Sequence, residues 1–377
     1  MTTKTALTLR RQPLFSTTRR RLTFIAATLV TPFLLSACGP ANPGLDLLED
    51  YLYRLSNTLD TPIDNDLSPA PLPLYPTAKA NRFTFDPLTQ GVIEVFELGY
   101  CEGILDLIAQ RNSSLGKVMR PSAQYRYELN FYDKIQRCHQ KAAQDPEIEP
   151  ELKNTIASIA DQKRQQLPAV AWNSLFSSEE IDQQFDRTAQ LIAPPEEKGQ
   201  AAGIPELANG FTRLSALALS ATQTPFEHPS DSATNESYYE ALYRQPIMGE
   251  LHNSLNALTL TMERATAALK HRTETKPLCR PGLYSKQVPI LANVFDRYYL
   301  GGFQPYLAHI HRLAQSTLVP LADAYAALPK PEGFITFGDQ QISTTHPDSV
   351  WLRYINARDQ HTKAWQRILR DCNIRQV

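Results

Sequence analysis

The chain has 377 residues, 42% hydrophobic and 20% charged, with a formal net charge of −1. That is enough apolar sequence for one large or two medium domains, and it excludes a disordered chain, a collagen-like chain and a small disulfide scaffold. Only 15 Gly stand beside 28 Pro; tight β-turns need Gly, so the composition points to helices with stiff connections.

The first segment is an address. Residues 1–21 carry Lys4, Arg10, Arg11, Arg19, Arg20 and Arg21 and no acid. Leu22 to Ala37 is apolar but shorter than the roughly 20 residues a spanning helix needs. A basic stretch, a short apolar stretch and small residues at its end describe a secretory signal peptide. Leu35-Ser36-Ala37-Cys38 looks like a bacterial lipobox, which implies cleavage before Cys38 and acylation of its sulfur and amino group. Several acyl chains hold where one holds only marginally. Gly39, rather than an Asp, follows the Cys; by resemblance to enterobacterial lipoproteins this implies export to the outer membrane, on its periplasmic face. Six of the 38 Lys and Arg lie in residues 1–37, so their removal leaves 32 against 39 acids, a net charge of −7. That offers no basic footprint for nucleic acid.

After a tether at 38–43, Leu45, Leu48, Leu52, Leu55 and Leu59 form one helical stripe. Residues 60–80 hold Pro62, Pro69, Pro71, Pro73 and Pro76, so this segment should be extended and draped over the surface. Pro87 to Ile108 reads as a helix, Arg111 to Lys117 as a break, and Ser122 to Ala143 as a second helix rich in Tyr and Phe. A polar helix from Glu149 should end before Pro168, followed by an inward-packing connector through Asn173. Ser177-Ser178 before Glu179-Glu180 looks like a helix cap.

Pro194 to Gly199 marks a boundary between a helical lobe at 44–192 and another at 205–377, with a linker at 193–204. In the second half, Leu251, Leu255, Leu258, Met262, Ala265 and Leu269 keep heptad spacing. So do Trp351, Tyr354, Arg358, His361, Trp365, Ile368 and Cys372. Gly301-Gly302 should separate two helices, and Phe334 to Ile342 alternates as a small hairpin would. The expected fold is all-α: an antiparallel helical bundle in two lobes, with an extended Pro-rich segment and at most one small β-hairpin.

Besides Cys38 there are Cys101, Cys138, Cys279 and Cys372. In an oxidising compartment four cysteines point to two disulfides. Of three pairings, Cys101–Cys138 and Cys279–Cys372 are favoured because each pair lies within one half of the chain; free buried thiols are the alternative. No C-x-x-C or H-E-x-x-H occurs, so no metal and no cofactor is expected. Arg358, on an apolar seam, should pair with an acid of a neighbouring helix, and His361 reads as a core histidine with a hydrogen-bond partner.

Ser114-Leu-Gly-Lys117 fits the S-x-x-K of penicillin-recognising enzymes, and Ser254-Leu-Asn256 imitates their second motif. No K-T-G strand follows in the chain after residue 37, and no catalytic residue is assigned. The run Arg111, Asn112, Ser113, Ser114 and Lys117 is instead a candidate binding site, able to offer cations and free N–H groups to an anion or glycan. Its structural reading is a helix-hairpin turn capped by Asn112 and the serines, with Gly116 at positive φ.

Phe96 to Cys101, Leu107 to Met119, Pro121-Ser122 and Tyr127 to Leu129 resemble a proteobacterial lipoprotein family known as domain of unknown function 3080. Gln165 to Asn173 looks like its second landmark, and the terminal helix with Trp365 and Cys372 its third. The resemblance implies an exported, lipid-anchored, mostly helical protein and brings no activity or ligand. The leading expectation is a non-enzymatic lipoprotein, anchored in the membrane through acylated Cys38, that binds an envelope protein or cell-wall component. The rival is an envelope enzyme acting on peptidoglycan or lipid near the Arg111–Lys117 turn.

Overall fold

The leucine stripe makes the first helix, α1 (Pro43–Leu59), which buries Leu48, Leu52, Leu55 and Leu59 together with Tyr51. In this computed structural model residues 42–85, 92–195, 204–229, 235–280 and 283–374 are described. The expected signal peptide, Cys38 and the expected tether up to residue 41 lie outside them, as do residues 196–203 of the expected linker.

The fold is all-α. After α1 come α2 (Ala78–Asn81), α3 (Val92–Glu97), α4 (Ile104–Asn112), α5 (Pro121–Gln144), α6 (Pro150–Phe176) and α7 (Glu179–Gln184). Then follow α8 (Ile204–Ser220), α9 (Asn235–Arg244), α10 (Met248–Thr275), α11 (Val288–Val294), α12 (Gln304–Ala327), α13 (Glu332–Gln341) and α14 (Val350–Asp371). One short antiparallel pair, β1 (Cys279–Arg280) with β2 (Leu283–Tyr284), separates α10 from α11.

α10 is buried on nearly every side, as the core helix of a large unit must be. It packs against α1, α12 and α14, while α5, α6 and α8 form the adjoining layer. α8 bridges the two groups by touching both α6 and α12, and the described residues from Asn42 onward make one compact unit. The heptad seams of α10 and α14 face each other. Both favoured disulfides are present, Cys101–Cys138 and Cys279–Cys372, with Cα atoms 5.3 and 5.1 Å apart. Ser178 caps α7 by accepting from the Ile181 amide at 3.3 Å.

The Pro-rich segment is extended and draped over the helices. Leu67 and Leu72 are buried under it, Arg264 grips the carbonyls of Asp64 and Asp66 at 2.9 and 2.8 Å, and Tyr75 enters a cluster with Phe185, Phe334 and Phe337.

Four expectations are corrected. α6 runs through Pro168. An interior proline costs about 3 kcal/mol, but Val170, Trp172, Leu175 and Phe176 are all buried beyond it, and each contributes about 1.5–3 kcal/mol. Residues 334–342 form most of helix α13 with its C-cap instead of a hairpin, because Phe334 and Phe337 bury three apart on one helical face. Gly301-Gly302 does not separate helices: a π-helical stretch, Phe295–Phe303, carries α11 directly into α12. The single helix expected over 87–108 is broken by a 3₁₀ turn (Leu98–Tyr100) and by Gly103, whose φ of 71° starts α4 anew; residues 86–91 lie outside the described set.

Candidate functional site

The turn after α4 is built by its own polar groups. The Ser113 hydroxyl donates to the Gln110 carbonyl at 2.7 Å and accepts from the Gly116 amide at 3.0 Å, which closes the helix end. The Arg111 guanidinium donates to the Gly116 carbonyl. Gly116 is not at positive φ, as expected from sequence; it opens a 3₁₀ turn, Gly116–Val118. Glycine is required by closeness: a Cβ there would sit 2.1 Å from the Gln110 oxygen and 2.6 Å from that of Arg111. Ser113 therefore serves the turn, while Ser114 is exposed.

Beneath this turn lies a cavity of about 690 Å³, within the roughly 300–1,000 Å³ of small-ligand sites. Two helix faces wall it. From α5 come Gln124, Tyr127, Glu128 and Phe131, at helical spacing along one stripe. From α6 come Ile159, Lys163, Gln166, Val170 and Asn173, again one stripe. The two helices are joined by residues 145–149 and fold back on each other.

The remaining wall is the end of the extended segment, Arg82 to Phe85. It is pinned to α6 by a reciprocal amide pair: the Phe83 N–H donates to Asn173 Oδ1 at 2.8 Å, and Asn173 Nδ2 donates to the Phe83 carbonyl at 2.9 Å. The Trp172 indole N–H holds the Asn81 carbonyl at 2.9 Å. Val95, Leu98, Ile108, Arg111, Asn112 and Lys117 complete the lining. Of the five residues singled out in the turn, Arg111, Asn112 and Lys117 line the cavity, and Ser113 and Ser114 do not.

The Cys101–Cys138 disulfide ties the segment beside Leu98 to α5 and so fixes one side of the lining on the other.

The electrostatics are lopsided. The lining has four cations (Arg82, Arg111, Lys117, Lys163) and one acid, Glu128. Lys163 and Glu128 pair at 2.7 Å, each side chain only about a tenth exposed, and Lys163 also lies over the Phe131 ring. Burial pushes the Tyr127 phenol well up, and the Glu128 charge adds to this, while the Arg111 guanidinium pulls the other way. The lining contains no histidine, cysteine or serine.

The other residues marked from sequence lie elsewhere. Ser254 Oγ donates to the Glu250 carbonyl at 2.8 Å and accepts from the Ile192 amide at 2.9 Å, inside the core. Arg358 pairs at 2.9 Å with Asp359, its neighbour on α14, and not with an acid of another helix. Its long stem carries the guanidinium out of the seam to the half-wet edge. His361 is fully buried, bonded to Tyr51 and Thr266. Among the described residues no group of His, Cys, Asp or Glu is arranged to hold a metal ion, and no helix is long and apolar enough to cross a membrane.

Sequence reasoning missed the α6 wall and the strap. Lys163 and Gln166 looked like the outer face of a polar helix, and Asn173 fell at the end of a connector expected to pack inward. The available signal was their common stripe with Ile159 and Val170, since a solvated face has no use for buried aliphatics.

An all-α unit enclosing a cation-lined cavity between a helical hairpin and an extended strap is thus in place. Residues 48–376 match the family described as "Protein of unknown function (DUF3080)", and the chain belongs to that family. No curated protein and no solved structure matches it.

Proposed function

We propose that this protein is a lipid-anchored envelope protein, held through acylated Cys38 at the periplasmic face of the outer membrane. It binds an envelope component in the cavity beneath the 111–117 turn and does not transform it. The observation that carries the binding reading is the cavity itself: about 690 Å³, the size of a small-ligand site, with polar and apolar side chains sharing the lining about equally. The lipobox sequence supports the anchor, and the two disulfides fit an oxidising compartment.

Binding is favoured over turnover by the lining. Its one carboxylate is already held by Lys163. Ser114, the one nucleophile of the S-x-x-K match, does not line the cavity.

Two measurements test this. Labelled palmitate should enter the protein in cells and be lost in Cys38→Ser, with the protein sedimenting with outer membranes. A photo-crosslinking residue at Gln166 should form an adduct in the living envelope that the same residue at exposed Gln366 does not. No adduct at Gln166 would remove the binding reading, and palmitate incorporation surviving Cys38→Ser would remove the anchor.

A further inference from the structure

We propose that the cavity takes an anionic amphiphile: one alkyl chain carrying a carboxylate or phosphate head. This rests on the binding reading above and names the ligand class of the same site. Fatty acids and lysophospholipids are the two sources of that chemistry.

The interior sets the first half of the ligand. Phe83, Leu98, Tyr127, Phe131, Ile159 and Val170 supply the apolar half of a lining that is about equally polar and apolar. A methylene takes about the room of a liquid water, roughly 30 Å³, so a sixteen-carbon chain fills on the order of 500 Å³. The cavity of about 690 Å³ leaves space for a head group beside it.

The rim sets the second half. Arg82 and Lys117 are exposed and Arg111 is half-buried, whereas Phe131, Tyr127, Ile159 and Val170 are buried. The cations thus stand at the entrance and the apolar groups at the floor. Among the described residues none of Arg82, Arg111 and Lys117 has an acid within salt-bridge distance: Arg82 donates to the Ser177 carbonyl at 3.3 Å, and Arg111 to that of Gly116. Three cations with no acid partner among the described residues thus line one cavity, in a protein whose balance after residue 37 is acidic. The arrangement suits a carboxylate or phosphate, with guanidinium groups able to bind it bidentately.

Glu128 fixes the direction. A head group pushed to the floor would meet its carboxylate, already satisfied by Lys163 at 2.7 Å. The head therefore stays at the rim and the chain points inward. On the same turn Leu115 and Val118 are 82% and 74% exposed, flanking Lys117. Large aliphatic side chains beside a cation match the two halves of an amphiphile, and nothing in the turn itself requires them.

The test uses the acylated, disulfide-bonded protein in phosphatidylcholine vesicles. The probes are photoreactive, clickable palmitate, the matching lysophosphatidic acid, the matching neutral alcohol and a photoreactive soluble muropeptide. Adducts are mapped by peptide mass, which separates the cavity from Cys38. At least one anionic probe should label peptides of α5 and α6 at least fivefold more than the alcohol does, and the stronger of the two identifies the source. Arg82→Ala with Lys117→Ala should reduce that labelling at least fivefold, with an unchanged melting temperature. Equal labelling by the alcohol, undiminished labelling of the double variant, or labelling by the muropeptide alone would overturn the ligand class and leave the cavity a binding site. A cavity labelled by no probe would overturn both readings.

Discussion

Two regions bury polar groups and treat them in opposite ways. Around His361 the Tyr51 hydroxyl bonds Nε2 at 3.0 Å, the Trp365 indole donates to Tyr51 at 2.9 Å, and Thr266 meets Nδ1 at 3.2 Å. A neutral ring with its proton on Nδ1 gives each member a partner, and Tyr299 and Phe303 meet it in edge-type ring contacts. Beneath the 111–117 turn, Lys163 and Glu128 are also paired, but they look into an open cavity whose rim has three cations with no acid partner among the described residues. A saturated polar cluster fixes a core. An unsaturated one beside empty volume is suited to a ligand. Variants in the first region should therefore remove stability, and variants in the second should divide into those that hold the walls together and those that leave folding untouched.

The largest effect is expected in the closed region. Trp365→Ala removes a fully buried ring from α14 and the donor to Tyr51, and should cost about 3–5 kcal/mol in urea unfolding. A loss below about 1 kcal/mol would mean that this region is not the tight core described. Next comes Cys101→Ser with Cys138→Ser, which frees a loop spanning 37 residues. The expected loss is about 3–4 kcal/mol, with amide exchange in α4 rising more than in α14. Uniform exchange changes would break the link between this disulfide and the cavity lining.

Glu128→Gln sharpens the contrast, since it leaves Lys163 without its counter-charge. With both side chains about nine-tenths buried, the expected cost is about 3 kcal/mol, and Lys163→Met with Glu128→Gln should recover most of it. If the single change is silent, the pair is solvated and the floor of the cavity is wetter than drawn.

The closed region also makes a pH prediction. Burial pushes the His361 imidazole down to about 3 from an ordinary 6.5. The unfolded chain therefore takes up the proton first. Stability is full above pH 6.5 and falls as pH drops toward 3, by about 1.4 kcal/mol per pH unit from this one group. His252, buried against the Met248 and Gln341 carbonyls, is displaced in the same direction. Urea midpoints between pH 7.5 and 5.0, above the carboxylate range, should show the slope, and His361→Asn should remove part of it. An unaltered slope in the variant would place the titration elsewhere.

Much of the closed region was legible from spacing. The seams of α1, α10 and α14 are apolar residues at helical period, and packing needs nothing more than that. The disulfides followed from their placement within halves of the chain. The site was half legible: the 111–117 run stood out as a crowd of polar and charged residues, and three of its members reach the cavity. The facing wall was hidden because Lys163 and Gln166 carry polar heads on a helix that reads as solvated and Asn173 falls beyond its expected end, while burial depends on the remote strap. Asn173 joins Phe83, which is 90 residues away, and no local pattern records that pairing. Helix α6 through Pro168 was illegible for a related reason. A local rule gave the break, and burial of Trp172 and Phe176 against α13 and the strap outweighed it.

The smallest expected effect separates two neighbours that look alike in sequence. Arg111 and Lys117 both line the cavity, so changing both together would confuse support with recognition. Arg111 holds the Gly116 carbonyl, and Gly116 sits where a Cβ has no room. The guanidinium is therefore part of the turn, and Arg111→Ala should cost about 1 kcal/mol. The exposed Lys117 side chain has no such partner among the described residues, so Lys117→Ala should fall within about 0.5 kcal/mol of the parent. Differential urea unfolding of the two single variants decides this. Equal losses would mean that Lys117 is structural too, and the rim would then have only Arg82 left as a cation free to recognise an anion. A silent Lys117→Ala keeps the rim chemistry separate from the fold, which is the condition for using that residue to read ligand binding.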